Sequence, residues 1–302
     1  MFSLSTKANM SGESAPPYMD AIQAAQKIWK DNYLFETDIH SVIRCGYENS
    51  DTQPRFRLAY MPIRNRGEIL RLMLEESGCP YDVEIIGFKN WENGVKATAP
   101  QGKCPILRNF DGKGNDLGQE GAITRFLGKA LGLAGKDAVE EAEADSIYCF
   151  WFSTMRNNGI SHDGEHFSVA SLRDAEPVTK RPRYQEVFRL NTLSKAERSL
   201  MALGYFEELL EKSESGFLLS SGISYVDLGL FYILFELAEE DNVPDFAEKF
   251  HLPKLGSFLK SMQERPKIKE YIVSPGRMPR YERASDGTSL YTYVEGKGSP
   301  HR

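Results

Sequence analysis

Apolar residues near position 56 first alternate with polar ones and then change to helical spacing. Phe56, Leu58 and Tyr60 occupy every second position, which predicts a strand. Pro62 has no backbone N–H to donate, so the strand cannot continue through it. Helical spacing follows at Ile69, Leu70, Leu72, Met73 and Leu74. The stretch therefore predicts a strand, a short loop and a helix, with a tyrosine at the end of the strand, where open α/β sheets bind ligands.

The pattern between residues 81 and 131 predicts three more strands and a second helix. Residues 81–86 are rich in apolar side chains and follow a Gly-Cys-Pro break. A strand entered through Pro105 and a brief return strand reaching Leu117 flank a loop of turn residues at 111–115. A helix is predicted to start near Gln119. The order of these elements predicts a small mixed sheet of four strands.

From Lys136 onward the pattern predicts helices. A long helix at 139–155 carries aromatic residues on its later turns. Further helices are predicted at 193–212, 226–240 and 253–272. Ser224 and Asp227 precede an apolar run at the spacing of a capping box. Strands early in the chain and helices late predict an α/β domain followed by an all-α domain.

Three segments differ in composition from these two domains. The start of the chain is rich in Ser, Gly and Pro, and an apolar stripe then predicts an amphipathic helix at 19–33. Residues 157–182 are polar and predict a loop insertion, and the tail is rich in Gly, Ser, Pro and Arg and predicts extended chain. The expected divisions are an extension at 1–54, an α/β domain at 55–134, a helical domain at 135–275 and a tail at 276–302.

Composition narrows the function classes. The 302 residues carry 37 basic and 43 acidic side chains, a net charge of −6, which argues against a dominant role on nucleic acid or an anionic membrane. The four cysteines show no Cys-x-x-Cys pair, as expected of reduced thiols inside the cell. The apolar run at 228–237 includes Glu236 and is too short to span a bilayer. We therefore expect a cytoplasmic protein without a membrane span.

Two weaker patterns favour neither a metal nor a nucleic acid. His162 and His166 flank Asp-Gly-Glu rather than the Glu-x-x of a zinc helix, and Gly164 disfavours a helix there. The basic residues at 180–183 fit a solvated loop better than a nucleic-acid site. We expect no metal and no nucleic-acid partner.

Six short motifs occur together in one order between Phe56 and about Pro275. They lie at 58–69, 102–107, 118–119, 133–136, 224–227 and 265–269. In these motifs the chain resembles the cytosolic glutathione transferases of the tyrosine type, most closely the sigma class, which includes prostaglandin D synthases and the lens S-crystallins. The resemblance does not cover 1–54, 157–182 or the tail. It implies a thioredoxin-like α/β domain, an all-α domain and a homodimer.

The resemblance assigns the chemistry to Tyr60 and Arg66. Attack on an electrophile requires the thiolate of glutathione, and a hydrogen bond donated to the sulfur favours the thiolate. A tyrosine hydroxyl remains a donor at neutral pH. Arg66 matches a sigma-class arginine whose positive charge would help. The alternative interpretations are a tyrosine that only caps a strand and a solvated arginine at a helix start.

The resemblance also assigns residues to the glutathione site, which are Trp91, Lys96, Lys103, Cys104, Pro105 and Gln119. The Trp91 ring and the Lys96 ammonium would hold the glycyl end. Pro105 matches the family's cis-proline, and the backbone of Cys104 would pair with the cysteinyl part as a strand pairs with a peptide. Lys103 stands where the family has Gln or Lys. The Cys104 side chain is expected to pack rather than to react.

Two positions depart from the family pattern. Glu120 stands where the family has the serine that receives the γ-glutamyl carboxylate at a helix N-terminus. Ser153 stands where many members carry an aspartate that reaches the ligand's ammonium in the partner subunit. One hypothesis is that Glu120 takes over the ammonium. The other is that the glutathione site has decayed, because a carboxylate repels a ligand carboxylate at close range.

The electrophile would lie between 60–64 and the inner face of the long helix, where Phe152, Met155 and Arg156 are candidates. Aromatic residues at helical spacing are also typical of a core. We predict a glutathione transferase for detoxification that conjugates a small electrophile or carries out related isomerase or peroxidase chemistry. The alternative is a non-catalytic structural or assembly subunit that binds a protein partner through 1–54 or 276–302.

Overall fold

A sheet built early in the chain is followed by helices. The computed structural model describes residues 40–45, 54–155, 167–183, 193–239, 242–274, 277–278, 280–283 and 289–292. The helix predicted at 19–33, the pocket candidate Arg156 and the histidine pair at 162 and 166 lie outside the described residues.

The sheet of the first domain has five strands in the order β1-β3-β2-β4-β5. They are β1 (His40–Cys45), β2 (Phe56–Tyr60), β3 (Tyr81–Ile86), β4 (Ile106–Arg108) and β5 (Leu117–Gly118). β2 and β3 are parallel, and the other neighbouring pairs are antiparallel. The four predicted strands are present. The fifth, β1, comes from the segment treated as an extension, and it pairs with the edge of β3 that would otherwise expose backbone hydrogen-bonding groups.

Helices surround this sheet and make up the second domain. They are α1 (Asn65–Glu76), α2 (Phe88–Asn90), α3 (Lys96–Thr98), α4 (Glu120–Ala130), α5 (Ala138–Thr154), α6 (Val169–Arg173), α7 (Lys195–Lys212), α8 (Tyr225–Leu237), α9 (Phe246–Lys249), α10 (Pro253–Gln263) and α11 (Pro266–Ile272). A π-helical turn spans Trp91–Val95 and a 3₁₀ turn spans Pro100–Gly102. No helix in the described ranges is long and apolar enough to cross a membrane.

Helix α8 lies at the centre of the helical domain. All of its residues are buried, as expected of a helix that is apolar on every face. Gly229 allows close approach of the long helix α5, since a Cβ there would lie 3.1 Å from Cε2 of Trp151. The capping box predicted at Ser224 and Asp227 is present. The core therefore joins both domains through α8.

Two predictions of local structure were wrong in part. The single helix predicted at 253–272 is two helices, because Pro266 has no N–H to donate and begins α11 instead. The segment 157–182, predicted as a loop, contains α6, with Ser168 as its N-cap. In the tail, predicted as extended chain, the described residues include two strands, β6 (Arg280–Arg283) and β7 (Ser289–Thr292), which pair antiparallel.

The basic cluster at 180–183 lies against α7. Arg181 forms an ion pair with Glu211, and Gly204 lies so close to Pro182 that a Cβ would be 2.5 Å from its carbonyl oxygen. The segment therefore contacts α7 both through backbone packing and through an ion pair.

Candidate functional site

Tyr60 ends β2, which has β3 on one side and β4 on the other. Its side chain is 4% exposed and packs in a small apolar cluster with Met61, Ile63, Ile86, Trp91 and Ile106 among others. The ring lies on the first turn of α1, where a Cβ on Gly67 would be 2.6 Å from its Cδ1. The glycine is thus needed for this ring position.

The loop after Tyr60 is held by a buried arginine. Arg71 of α1 donates from Nη2 to the carbonyl oxygen of Ile63 at 3.1 Å. Its Nη1 donates to Glu68 at 2.9 Å. Its guanidinium carbon lies 5.9 Å from the centre of the Tyr60 ring. One side chain therefore contacts both the loop and the aromatic ring.

The surroundings of Tyr60 keep its hydroxyl protonated. Burial raises the pKa of this hydroxyl most, and the nearby Cys104 and Glu120 raise it further, while Arg66 and Arg71 lower it. A protonated hydroxyl in a nearly dry site is a hydrogen-bond donor, which is the role required toward a thiolate.

The peptide bond between Cys104 and Pro105 is cis, as the resemblance implied. Ile106 pairs with Ala59 on one side and with Gly118 on the other. These registers bring Pro105 and the residue after Gly118 to the end of the sheet where Tyr60 lies. Burial raises the pKa of the Cys104 thiol to about 12, which agrees with a packing role for this side chain.

The N-terminus of α4 lies at this same end of the sheet. Its N-cap residue Gln119 is exposed, has φ of 69° and makes no side-chain cap hydrogen bond. The next residue, Glu120, is 5% exposed and its charge is close enough to raise the pKa of Tyr60. A helix start with uncapped N–H groups is suited to an anion, whereas the Glu120 carboxylate beside it is suited to a cation.

Three further predicted residues lie on the segment between β3 and β4. Trp91 is buried in the same cluster as Tyr60. Lys96 is exposed, and its ammonium contacts Glu92 at 3.0 Å, a surface pair that a ligand carboxylate could replace at little cost. Lys103 is exposed beside Cys104.

Of the three residues predicted to line the electrophile pocket, Phe152 and Met155 lie in the described chain. Phe152 is half-buried and packs on Tyr148, with ring centres 5.6 Å apart. Met155 is fully buried in the core and offers no surface to a substrate. Ser153 is exposed, and its hydroxyl donates to the carbonyl oxygen of Phe150 at 3.1 Å.

Sequence reasoning missed a group of buried charges beside this site. We call it the charge cluster, and it consists of Arg64, Glu68, Arg71, Glu236, Glu239 and Arg277. A signal was available, because charged residues at 64, 68 and 71 recur at helical spacing beside the apolar residues of α1, and Glu236 interrupts an apolar run. Tyr232, buried next to Tyr60 and Glu236, was also missed.

No metal site accompanies these groups in the described ranges, where no set of three or more His, Cys, Asp or Glu side chains is placed to hold an ion.

Comparison with known proteins agrees with this geometry. A family model described as the C-terminal domain of glutathione S-transferase matches residues 169–275, beginning inside the segment that the sequence suggested as an insertion. Glutathione S-transferase 4 of Caenorhabditis elegans is 30% identical over 227 residues, which are 73% of this chain and 97% of that protein. Glutathione S-transferase P of Bos taurus is 27% identical over 75% of this chain and 96% of that protein.

Solved structures show the same fold. A glutathione S-transferase from Ascaris lumbricoides superposes with a TM-score of 0.52 at 27% identity, over 72% of this chain and 96% of that one. A glutathione S-transferase from Caenorhabditis elegans gives 0.51 at 26% identity, over 73% and 98%. The predicted fold class is confirmed, and these relatives support an enzymatic activity. Their names are those of nematode and P-type enzymes, so the sigma class stays a prediction. The chain belongs to the glutathione S-transferase family.

Proposed function

We propose that this protein is a glutathione transferase in which the Tyr60 hydroxyl donates a hydrogen bond to the glutathione sulfur. The observation that carries the proposal is the position of Tyr60, buried at the end of β2 beside the cis peptide bond at Pro105 and the start of α4. Arg66 adds positive charge near the hydroxyl. Both groups stabilise the thiolate, which attacks a small electrophile.

Glutathione lies across this end of the sheet in our proposal. Its glycyl carboxylate takes the place of Glu92 on Lys96, and the tripeptide packs against Trp91. Its cysteinyl backbone pairs with Cys104, in the manner of an added strand. Lys103 and Gln119, both exposed, contact the ends of the ligand. This arrangement uses the residues that the family resemblance assigned.

Glu120 would bind the γ-glutamyl end of glutathione differently from the serine of the family. We propose that its carboxylate receives the ammonium of the γ-glutamyl group, the role that an aspartate at the position of Ser153 plays in many relatives. The burial of Glu120 supports this, because an opposite charge in a nearly dry site interacts strongly. The γ-glutamyl carboxylate then remains with the backbone N–H groups at the start of α4.

The direct test is calorimetric titration of the full chain with glutathione, together with a generic thiol-conjugation assay on the wild type and on Tyr60→Phe. The variant removes only the hydroxyl, so we expect unchanged glutathione affinity and a fall in kcat of about 100-fold, in the range for loss of one preorganised donor. Conjugation that survives in Tyr60→Phe would contradict the assignment of Tyr60.

A non-catalytic structural or assembly role is the second candidate. It is favoured by Glu120 at the position where the family binds the ligand's carboxylate, and by two additions to the fold, β1 and the antiparallel pair of β6 and β7. The calorimetric titration with glutathione distinguishes the transferase from the assembly role. An absence of binding at millimolar glutathione would remove the transferase proposal and favour the assembly role.

Finer assignments belong to the same proposal. We propose a sigma-like enzyme that acts as a homodimer in the cytoplasm, with Phe152 and Arg156 near the electrophile. The net charge of −6 agrees with a soluble role away from nucleic acid. Isomerase or peroxidase chemistry would use the same thiolate.

A further inference from the structure

The charge cluster joins three parts of the chain that are far apart in sequence. Arg64, Glu68 and Arg71 come from α1 and the residue before it, Glu236 and Glu239 from the end of α8 and the chain just after it, and Arg277 from the segment after α11. All six side chains are buried, and the three arginines balance the three glutamates. Because an uncompensated buried charge is strongly destabilising, each member depends on the others.

Arg277 completes this balance from the C-terminal side. It is 6% exposed, and its Nη2 donates to Oε1 of Glu239 at 3.3 Å while its Nε lies 3.8 Å from Oε1 of Glu68. Its guanidinium also lies 4.5 Å from the centre of the Phe235 ring. The guanidinium thus spans two carboxylates and an aromatic face.

The residue after Arg277 contacts the loop that follows Tyr60. Arg64 donates from Nε to the carbonyl oxygen of Met278 at 2.9 Å. Its Nη1 donates to Glu239 at 2.7 Å, the same carboxylate that Arg277 contacts. The C-terminal segment therefore contacts Arg64 directly through Met278 and indirectly through the Glu239 carboxylate, which Arg64 shares with Arg277.

The cluster reaches Tyr60 through Glu68 and Arg71. The Tyr271 hydroxyl of α11 donates to both carboxylate oxygens of Glu68, each at 3.1 Å, and Glu68 accepts from Arg71 at 2.9 Å. Arg71 in turn lies against the Tyr60 ring and holds the carbonyl oxygen of Ile63. A continuous set of contacts thus links the chain after α11 to the tyrosine.

We propose that Arg277 is a positioning residue for Tyr60, acting through Glu68, Arg71 and Glu239 to balance the buried charge beneath the tyrosine and to hold its loop. This inference rests on the proposed glutathione transferase function. The bound thiol sits above Tyr60, so a change of one buried charge in the cluster changes how readily that thiol ionises.

The charges around Tyr60 give the direction of the effect. The charged and titratable groups next to Tyr60 itself are Arg66, Arg71, Cys104, Glu120 and Tyr232. The remaining members of the charge cluster and Tyr271 are linked to it through Arg71 and Glu68. Replacing Arg277 by methionine leaves the cluster with one excess negative charge. Replacing Glu239 by glutamine leaves one excess positive charge.

The experiment measures the ultraviolet absorbance of the thiolate of bound glutathione against pH, and the pH profile of kcat/KM, in four full-length proteins. These are the wild type, Arg277→Met, Glu239→Gln and the double variant. We expect the apparent pKa of the bound thiol to rise in Arg277→Met and to fall in Glu239→Gln. One pKa unit would reduce kcat/KM at neutral pH about tenfold in Arg277→Met. The double variant should have the wild-type pKa of the bound thiol and the wild-type pH profile of kcat/KM. Arg277→Lys keeps the positive charge and should match the wild type in both.

Each outcome decides the proposal. Equal thiol pKa values in the wild type and Arg277→Met, or shifts of the same sign in both single variants, would overturn it, because a purely structural role predicts no charge-dependent sign. If Arg277→Met does not fold, the fall in Glu239→Gln and the recovery in the balanced double variant still test it. Absence of an ionising bound thiol in the wild type would instead reject the proposed function itself, and this inference with it.

Discussion

Two helix starts in this protein each carry an acidic residue, and they use it differently. At the start of α8, Asp227 accepts hydrogen bonds from the backbone N–H of Ser224 at 2.8 Å and its hydroxyl at 2.7 Å, and from the N–H of Leu218 at 2.8 Å. At the start of α4, Gln119 is in the left-handed region and makes no side-chain cap hydrogen bond.

The difference separates a structural helix start from one suited to a ligand. The α8 start directs its carboxylate at groups of its own chain, which serves stability. The α4 start directs N–H groups toward the end of the sheet where Tyr60 lies, and its buried Glu120 contributes charge to that site. Changes at Asp227 should therefore affect folding, and changes at Glu120 should affect binding.

The largest expected effect is on stability at Asp227. Asp227→Ala leaves buried N–H groups of Leu218 and Ser224 without their acceptor, so we expect a loss of about 3 kcal/mol in the free energy of unfolding. Chemical denaturation measures it. Glu197 forms the corresponding capping box with Ser194 on an exposed helix start, and Glu197→Ala is the matched control with a smaller loss. Equal losses in the free energy of unfolding at the two capping boxes would contradict the conclusion that burial increases the effect of Asp227.

An effect of intermediate size is expected on binding at Glu120. If its buried carboxylate receives the ligand's ammonium, Glu120→Gln should weaken glutathione binding about 100-fold, a loss of about 2.7 kcal/mol. Calorimetry on Glu120→Gln and Glu120→Ser provides the test, with thermal unfolding as the control for folding. Much tighter binding by Glu120→Ser would reject the ammonium role, because the carboxylate would then be only repelling the ligand.

The smallest effect is a pH dependence of stability. Burial raises the pKa of Asp227 to about 6, above its unfolded value. The folded state then holds a proton that the unfolded state releases, so this group stabilises the fold at low pH and that contribution is lost as pH rises through about 6. Relative to Asp227→Asn, the free energy of unfolding of the wild type should fall by roughly 2 kcal/mol between about pH 4 and 6. A parallel pH dependence in both proteins would contradict the raised pKa.

Local patterns in the sequence were sufficient for most of the fold. Alternation and a proline predicted β2, and helical spacing predicted α1, α5 and α8, because burying one face imposes the period of the element. The strand β1 was not predicted, because an edge strand is specified by pairing with its partner strand, here β3, rather than by its own sequence pattern. Phe167 and Leu172 were assigned to a polar loop. They are buried by tertiary packing, which the spacing of apolar residues along the chain does not predict.

Only those residues of the candidate site that lie in the sequence motifs shared with the family were predicted. Tyr60, Arg66 and the cis peptide bond at Pro105 followed from a resemblance in short stretches. Arg277 and Tyr232 did not, because a polar side chain gives no indication in sequence of which distant charge it will meet.

The sequence by itself determined the order of elements, the central apolar helix and the place of Tyr60 at the end of a strand, since each depends on neighbours within a few positions. Only the tertiary structure decided that three arginines and three glutamates from three segments would be buried together. Their burial is tolerated because each charge has an opposite charge beside it, and all but Arg71 have one from another part of the chain. Long-range pairing of this kind exists only after the domains have packed.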